Sequence, residues 1–167
     1  MILRRARAAD AEAICAIANP IIRDTLITFT TEQKTPEGVA AEIAARGAAY
    51  LVGEVDGQVL GFASYGQFRG GPGYAHSMEH SIQLAPRARG RGMGRALMAR
   101  LADVAAENGV HVLVAGISGA NPGGIGFHAA LGFSEVGRMP EVGFKAGRWL
   151  DLVLMQKILQ TPALGRT

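Results

Sequence analysis

The chain has 167 residues, of which 49% are hydrophobic and 19% are charged, and its formal net charge is +3 at pH 7. This length and composition predict one globular domain and exclude an intrinsically disordered chain. Five arginines within residues 87–100 carry much of the basic charge, and no aromatic residue lies between them. This pattern disfavours nucleic acid as a partner, and we expect an anionic partner to meet this segment.

One strand and two helices are predicted at the start of the chain. Residues 2–6 form the strand, and apolar residues recur at helical spacing after Asp10. Thr35 is a typical helix cap, Pro36 suits the first helical position, and Gly47 supplies a stop.

A hairpin and a further strand are predicted next. Residues 49–55 and 58–66 are apolar runs, and the Asp-Gly pair between them accepts the positive φ angles of a two-residue turn. The glycine-rich residues 70–73 predict a loop, which is followed by a strand at 74–84.

The second half of the chain alternates helices and strands. The predicted elements are a helix at 95–108, a strand at 110–117, a helix at 121–131 and two strands at 133–144 and 149–156. The order β-α-α-β-β-β-α-β-α-β-β predicts an α/β (α+β) fold with a mixed, mostly antiparallel sheet of about seven strands and about four helices. We expect residues 1–160 to form a single domain and residues 161–167 to be a frayed tail.

Glycine and arginine alternate in the segment that joins the predicted strand at 74–84 to the next helix. Gly90, Gly92 and Gly94 allow backbone N–H groups to approach phosphate oxygens, and the helix N-terminus adds its positive dipole end. The Walker pattern is absent, and a dinucleotide fingerprint fails because Arg95 stands three positions after Gly92. A glycine-rich turn with solvated arginines stays open as the alternative.

The pattern Arg89-x-x-Gly92-x-Gly94 between a strand and an amphipathic helix resembles the acetyl-coenzyme A (acetyl-CoA) signature of the GNAT superfamily. A second similarity is the helix that Asn121 opens and that a His-Ala-Ala-Leu-Gly-Phe segment closes. Two further segments, Glu79-His80-Ser81 and residues 142–151, resemble the phosphinothricin and methionine sulfone (sulfoximine) acetyltransferase branch. The resemblance implies a GNAT fold and an N-acetyltransferase that moves an acetyl group from acetyl-CoA to a small amino-acid-like amine.

The resemblance also implies which residues bind the cofactor. The backbone of three strand residues would pair with the pantetheine arm, and relatives often carry Val-Tyr-Val there: Ile82, Gln83 and Leu84. The pyrophosphate would lie on the loop formed by Arg89, Gly90, Arg91, Gly92, Met93, Gly94 and Arg95. Asn121 would contact the same arm, although it is also a typical helix cap.

Amine acetylation needs a base, because an ammonium group has no lone pair with which to attack a thioester. Glu79 is the candidate, and strict strand alternation would place it with Ser81 on the face opposite His80 unless a bulge intervenes. His128 occupies a position where many GNAT enzymes have a tyrosine. It would either donate a proton to the leaving thiolate or pack.

For the amine substrate, the resemblance implies a pocket formed by Phe29, Arg69, Pro72, Gly73, Tyr74, Val142, Gly143 and Phe144. Arg69 would suit a carboxylate. The glycines at 70, 71 and 73 replace bulkier residues that are expected in close relatives, so the substrate specificity can differ from theirs. Trp149 is expected to pack, and the branch implies a homodimer.

Two other functions compete with amino-acid acetylation: an N-terminal protein acetyltransferase with an open peptide groove, and a CoA-binding sensor without chemistry.

The four histidines share no zinc-ligand spacing and Cys15 is the only cysteine, so no metal is expected. The chain start lacks a hydrophobic signal core and no apolar run approaches the roughly 20 residues that cross a bilayer, which predicts a cytoplasmic protein with no membrane partner.

Overall fold

The computed structural model describes residues 1–160. It contains seven strands and four helices: β1 (Ile2–Arg5), α1 (Ala11–Asp24), α2 (Pro36–Arg46), β2 (Tyr50–Val55), β3 (Gln58–Gln67), β4 (Ser77–Leu84), α3 (Met93–Glu107), β5 (Val112–Ser118), α4 (Pro122–Ala130), β6 (Ser134–Lys145) and β7 (Arg148–Ile158). Short 3₁₀ turns join several of them. The predicted frayed tail at 161–167 lies outside the described residues.

All seven strands form one sheet in the order β1-β2-β3-β4-β5-β7-β6. Every neighbouring pair is antiparallel except β4 and β5, which are parallel because α3 makes the crossover between them. The predicted mixed α/β fold and its order of elements are therefore confirmed.

Local turn and cap signals account for several of these elements. Asp56 and Gly57 have φ values of 51° and 76°, as a two-residue hairpin turn requires. Thr35 Oγ1 accepts a hydrogen bond from the Gly38 N–H at 3.1 Å, and α2 ends at Gly47 with φ 56°. These predictions are confirmed.

Some predicted boundaries are wrong by small amounts. Helix α3 begins at Met93, two residues before the predicted start, because the Gly92 carbonyl already accepts the first helical hydrogen bond, from the Ala96 N–H, and Gly92 forms the N-cap. Strand β4 begins at Ser77 because Pro72–Tyr74 forms a 3₁₀ turn in place of extended chain. The other ends shift by one or two residues, where hydrogen bonding along the sheet decides the last residue.

The helices cover both faces of the sheet. One apolar cluster joins α1 and α2 to strand residues such as Tyr50 and Phe62, and Cys15 packs in it as predicted. The other cluster joins α3 to strand residues such as Leu113 and Ala115. Side chains of β4 therefore point alternately towards α1 and α2 or towards α3.

Two strand glycines fix the start of α3 against the sheet. A Cβ at Gly53 would lie 2.9 Å from Met93 Sδ, and one at Gly61 would lie 3.0 Å from the same atom. The Met93 side chain is 2% exposed and fills this space. Gly94 brings α3 close to α4, because a Cβ there would lie 3.1 Å from the Phe127 ring.

Candidate active site

Strands β4 and β5 pair over only three residues and then separate. Ser77–Glu79 align with Val112–Val114, whereas β4 stays paired with β3 as far as Leu84 and β5 stays paired with β7 as far as Ser118. Beyond Glu79, the backbone groups of β4 that face β5 therefore have no ladder partner. The sheet is open at its centre along residues 80–84.

A cleft of about 140 Å³ occupies this opening. Its walls come from β4, β5, α4 and the loop between α1 and α2: His80, Ser81, Ile82, Gln83, Ala115, Gly116, Ile117, Asn121, Gly124, His128, Ile27 and Thr28. Within residues 1–160, the buried Oε1 atom of Gln83 has no hydrogen-bond partner. The cleft thus offers unsatisfied polar groups to an extended ligand.

An anion-binding loop lies at the end of the opening. Gly90 and Gly92 have φ values of 71° and 82°, which are strained for other residues, and a Cβ at either position would meet nothing within 4 Å. The first helical hydrogen bond runs from the Ala96 N–H to the Gly92 carbonyl at 3.0 Å. The N–H groups of residues 93–95 therefore lack helical acceptors and are available to a phosphate.

The arginines of the loop are exposed, and no ion pair holds them within residues 1–160: Arg89, Arg91 and Arg95. Met93 and Gly94 contribute backbone amides here, since the Met93 side chain belongs to the core. The loop and the cleft together fit a diphosphate that continues into a narrow, amide-bearing arm, as in CoA. Ile82 and Gln83 line the cleft, and residues 89–95 form the loop at its end. The cofactor-binding roles of residues 82–84 and 89–95 stay predictions.

Residues 19–133 match the acetyltransferase (GNAT) family. The chain belongs to the GNAT family of acetyltransferases. The match spans both the open strand β4 and the glycine loop that follows it. It also includes α4, whose first and last turns were part of the predicted resemblance.

Individual relatives cover nearly the whole GNAT chain. An L-methionine sulfoximine/L-methionine sulfone acetyltransferase of Salmonella typhimurium is 40% identical over 93% of this chain and 93% of the relative. A phosphinothricin N-acetyltransferase of Alcaligenes faecalis is 36% identical over 94% of this chain and 82% of the relative.

Solved structures show the same fold. A Salmonella typhimurium protein with its cofactor acetyl-CoA superposes with a TM-score of 0.93 at 39% identity, covering 100% of this chain and 98% of the other. A ribosomal-protein-alanine N-acetyltransferase from Brucella melitensis gives 0.91 at 43% identity, covering 95% and 100%. The predicted GNAT acetyltransferase, its branch and its use of acetyl-CoA are therefore confirmed.

Glu79 lies where β4 and β5 begin to separate. No register shift interrupts β3 and β4, so strict alternation holds and Glu79 lies on the face opposite His80. Its Oε1 atom lies 2.7 Å from where a Cβ at Gly116 would be, so the carboxylate reaches across the gap to β5. Partial burial raises the pKa of Glu79. A carboxyl with a raised pKa accepts protons more readily than an exposed one.

His80 and His128 form a buried pair in the wall of the cleft. Their Nε2 atoms are 2.9 Å apart, and His128 Nδ1 is 2.8 Å from the Gly124 carbonyl oxygen. A carbonyl only accepts, so His128 Nδ1 carries a proton and, in the neutral ring, Nε2 accepts from the His80 Nε2–H. Neither nitrogen of His128 then has a proton free for the cleft. This arrangement favours packing over acid catalysis, and both roles of His128 stay predictions.

The histidine pair is held neutral. Burial, reinforced by the neighbouring His128, lowers the pKa of His80 to about 3, and only a weak backbone contact with Val114 opposes this. Burial also lowers the pKa of His128. His80 Nδ1 has no partner of good hydrogen-bond geometry within residues 1–160. The cleft wall therefore carries no positive charge from these rings near neutral pH.

A buried lysine fixes the loop between α1 and α2 over the cleft. Lys145 Nζ donates to the Thr28 carbonyl at 2.8 Å and to Thr28 Oγ1 at 3.2 Å. The next residue, Phe29, lies against Gly143, where a Cβ would be 2.6 Å from the ring. Phe29 and Gly143, two predicted substrate residues, are thus brought together beside the cleft.

The other predicted substrate residues lie elsewhere. The Arg69 guanidinium lies 5.4 Å from the Tyr74 ring centroid, in the turn that contains Pro72 and Gly73. None of these four residues lines the cleft. Two more, Val142 and Phe144, are exposed on the outer face of β6, because they alternate with the inward-facing Gly143. Of the eight predicted substrate residues, the structure brings Phe29 and Gly143 together beside the cleft, and the role of all eight in substrate binding stays a prediction.

Asn121 serves as the cap of α4, since its Oδ1 atom accepts a hydrogen bond from the Gly124 N–H at 3.0 Å. It also lines the cleft, so its predicted contact with the pantetheine arm is compatible with the cap.

No helix within residues 1–160 is long and apolar enough to cross a membrane. In the same part of the chain, His, Cys, Asp and Glu form no group of three able to hold a metal ion.

Sequence reasoning missed several residues of the site. Gly116 interrupts an otherwise apolar strand, and an isolated strand glycine is a recognised sign of close approach. Thr28 and Lys145 carry no such sign, because their contact joins residues 117 positions apart. The pairing of His80 with His128 was equally invisible before the sheet order was known.

The buried histidine pair predicts acid-sensitive stability. The unfolded chain protonates His80 near its ordinary pKa of about 6.5, whereas the folded protein does so only near pH 3. The unfolded state therefore binds more protons as the pH falls below 6.5, and His80 should lower the free energy of unfolding by roughly 1 kcal/mol between pH 7 and 5.5. Denaturant titrations over this range should show a shallower decline for His80→Gln. Parallel curves for the two proteins would contradict this assignment.

Proposed function

We propose that this GNAT acetyltransferase moves the acetyl group of acetyl-CoA to the amino group of a small amino-acid-like substrate, of the phosphinothricin, methionine sulfone or methionine sulfoximine type, with Glu79 as general base. The observation that carries the proposal is the position of the Glu79 carboxylate, which bridges the mouth of the split between β4 and β5. An amine that enters from the face of α1 and α2 meets this carboxylate beside Gly116, one of the residues that line the cleft.

Acetyl-CoA supplies a thioester whose carbonyl carbon accepts the amine. The glycine loop holds its diphosphate through the N–H groups of residues 93–95, and residues 82–84 pair with its arm. Glu79 accepts the proton of the ammonium group, directly or through water, and so exposes the nitrogen lone pair. The leaving thiolate needs little help from an acid, because a thiol with a pKa near 8.5 is a moderately good leaving group.

The names of relatives support the substrate class. The Salmonella and Alcaligenes relatives acetylate small amino-acid derivatives, according to their names, at 40% and 36% identity. One observation favours a second candidate, because the Brucella structure at 43% identity is described as a ribosomal-protein-alanine N-acetyltransferase. Short peptides are therefore a second class of candidate substrate. We also propose a cytoplasmic location for the protein.

A thiol-release assay with acetyl-CoA separates the candidates. The panel contains phosphinothricin, methionine sulfone, methionine sulfoximine, free amino acids and short peptides that begin with alanine. We expect turnover with the amino-acid derivatives and little with peptides. Turnover with peptides alone would select the N-terminal acetyltransferase, and CoA binding without turnover of any amine would select a non-catalytic sensor.

Removing the proposed base tests its role directly. Glu79→Gln should lower kcat by roughly 10²–10⁴-fold, because the amide cannot accept the amine proton. The affinity for acetyl-CoA, measured by calorimetry, should remain because Glu79 lies outside the glycine loop. Part of the lost rate should return at high pH, where more of the amine is neutral. Glu107→Gln, on the exposed side of α3, is the matched control, and near-normal turnover of Glu79→Gln at saturating amine would rule out the assignment.

We also propose that the protein is a homodimer. Five exposed apolar side chains cluster on β6 and β7, the outermost strands of one sheet edge: Val136, Met139, Val142, Phe144 and Trp149. Trp149 is 64% exposed, and its ring lies 4.7 Å from that of Phe144 between centroids. Several large exposed apolar side chains on neighbouring strands are typical of an interface, and a second copy of the chain would bury them symmetrically.

Sedimentation tests the proposed dimer. Wild-type protein should sediment as a dimer at micromolar concentration, and Trp149→Glu should shift it towards monomer because the interface would bury an unpaired charge. Ile2→Glu, on the opposite edge of the sheet, should remain dimeric. A monomeric wild-type protein, or an unaltered Trp149→Glu dimer, would contradict the proposal.

A further inference from the structure

Arg46, the last residue of α2, extends its guanidinium over β3 without meeting a carboxylate. Its Nη1 atom donates to Ser64 Oγ at 2.6 Å. Within residues 1–160 it forms no ion pair. The Ser64 hydroxyl therefore fixes one side of the guanidinium, and the remaining N–H donors are available to a ligand.

The guanidinium lies one strand away from the proposed base. Ser64 and Gly66 of β3 are registered opposite Ser81 and Glu79 of β4. Antiparallel partners have Cα atoms about 4.5–5.5 Å apart, and paired side chains lie on the same face of the sheet. A Cβ at Gly66 would lie 3.7 Å from Arg46 Nη2. The cation therefore occupies the same face as Glu79, next to it across the sheet.

Open space adjoins the Arg46 guanidinium. A cavity of about 350 Å³ is lined by Arg46, Gly66, Tyr65, Met78 and Asn108, among others, and Glu79 is not one of its lining residues. Gly66 has no side chain to fill the route from the guanidinium towards Glu79. A ligand group can therefore contact Arg46 while another part of the same small molecule reaches the carboxylate.

In an α-amino acid, the carboxylate is separated from the amino nitrogen by a single carbon. When the amine is at Glu79, the carboxylate must therefore find a partner within a few ångströms of that residue. The planar fork of an arginine suits a carboxylate, because two parallel N–H groups match its two oxygens. Arg69, the arginine that the sequence suggested, instead lies over Tyr74 in an exposed turn.

We propose that Arg46 binds the α-carboxylate of the amine substrate and so selects amino acids over other amines, a role that rests on the proposed acetylation reaction. Ser64 holds the guanidinium in place, and Gly66 leaves room for the substrate between Arg46 and Glu79. Specificity for the carboxylate is thus built into β3 and α2, outside the glycine loop and outside the loop that contains Arg69.

The test compares methionine sulfone with its α-carboxamide, which keeps the amine and loses the negative charge. The wild-type enzyme should prefer the acid by roughly tenfold to a hundredfold in kcat/KM. Arg46→Met should remove this preference by raising KM for the acid alone, with kcat and acetyl-CoA affinity retained. Arg46→Lys keeps the charge without the fork and should give an intermediate KM.

Two further arginine variants serve as controls. Arg100→Met, on α3 across the sheet, should keep both the activity and the preference. Arg69→Met should also keep the preference. If Arg69→Met lost the preference and Arg46→Met kept it, the proposal would be overturned and carboxylate binding would be assigned to Arg69. An equal loss of kcat for both substrates in Arg46→Met would overturn it by showing a general structural role.

The outcomes distinguish this proposal from the reaction on which it rests. If the wild-type enzyme acetylates acid and carboxamide equally well, the role of Arg46 fails and amine acetylation stands. If it acetylates neither compound nor any other amine, the proposed function fails first. The unfolding midpoints of the Arg46 variants show whether a loss of activity comes from a less stable fold after the contact with Ser64 is removed.

Discussion

The separation of β4 from β5 beyond Glu79 is the constraint on which the site depends. Each strand keeps its outer partner, β3 or β7, so neither can move to close the gap without losing a longer ladder. Buried backbone groups without partners cost about 1–3 kcal/mol each. A ligand that supplies those hydrogen bonds therefore binds to an edge that the fold already holds open. The helix that follows β4 places its free N–H groups at the end of the same gap, because Met93 is pinned between the strand glycines.

Features that depend on neighbouring residues were predictable from the sequence. The Asp56-Gly57 turn, the Thr35 cap and the strand–glycine loop–helix unit each rest on interactions across a few positions, and all are present in the structure. The alternation that separates Glu79 from His80 is equally local, since it needs only an unbroken strand. Errors arose at element ends, where a glycine N-cap or a 3₁₀ turn displaced the boundary.

Features that depend on sheet order were not predictable in the same way. The approach of Glu79 to Gly116 requires β5 to lie beside β4, and the Lys145–Thr28 contact requires the last hairpin to lie beside the first loop. Arg46 reaches Ser64 only because α2 ends above β3. The residue types at these positions are compatible with the contacts. The contacts could not be predicted because the partners are far apart along the chain and leave no local sequence pattern.

The placement of charge in the site follows from the need for a base that can accept a proton. A cation in direct contact with Glu79 would lower the pKa of its carboxyl and weaken it as a base. The structure avoids this, because burial alone raises the pKa of Glu79 and the adjacent histidines are neutral. Lys145 is bound to a carbonyl and a hydroxyl, and Arg46 is held one strand away by Ser64. Neither cation therefore contacts the carboxyl of Glu79, which keeps its capacity to accept a proton from the amine.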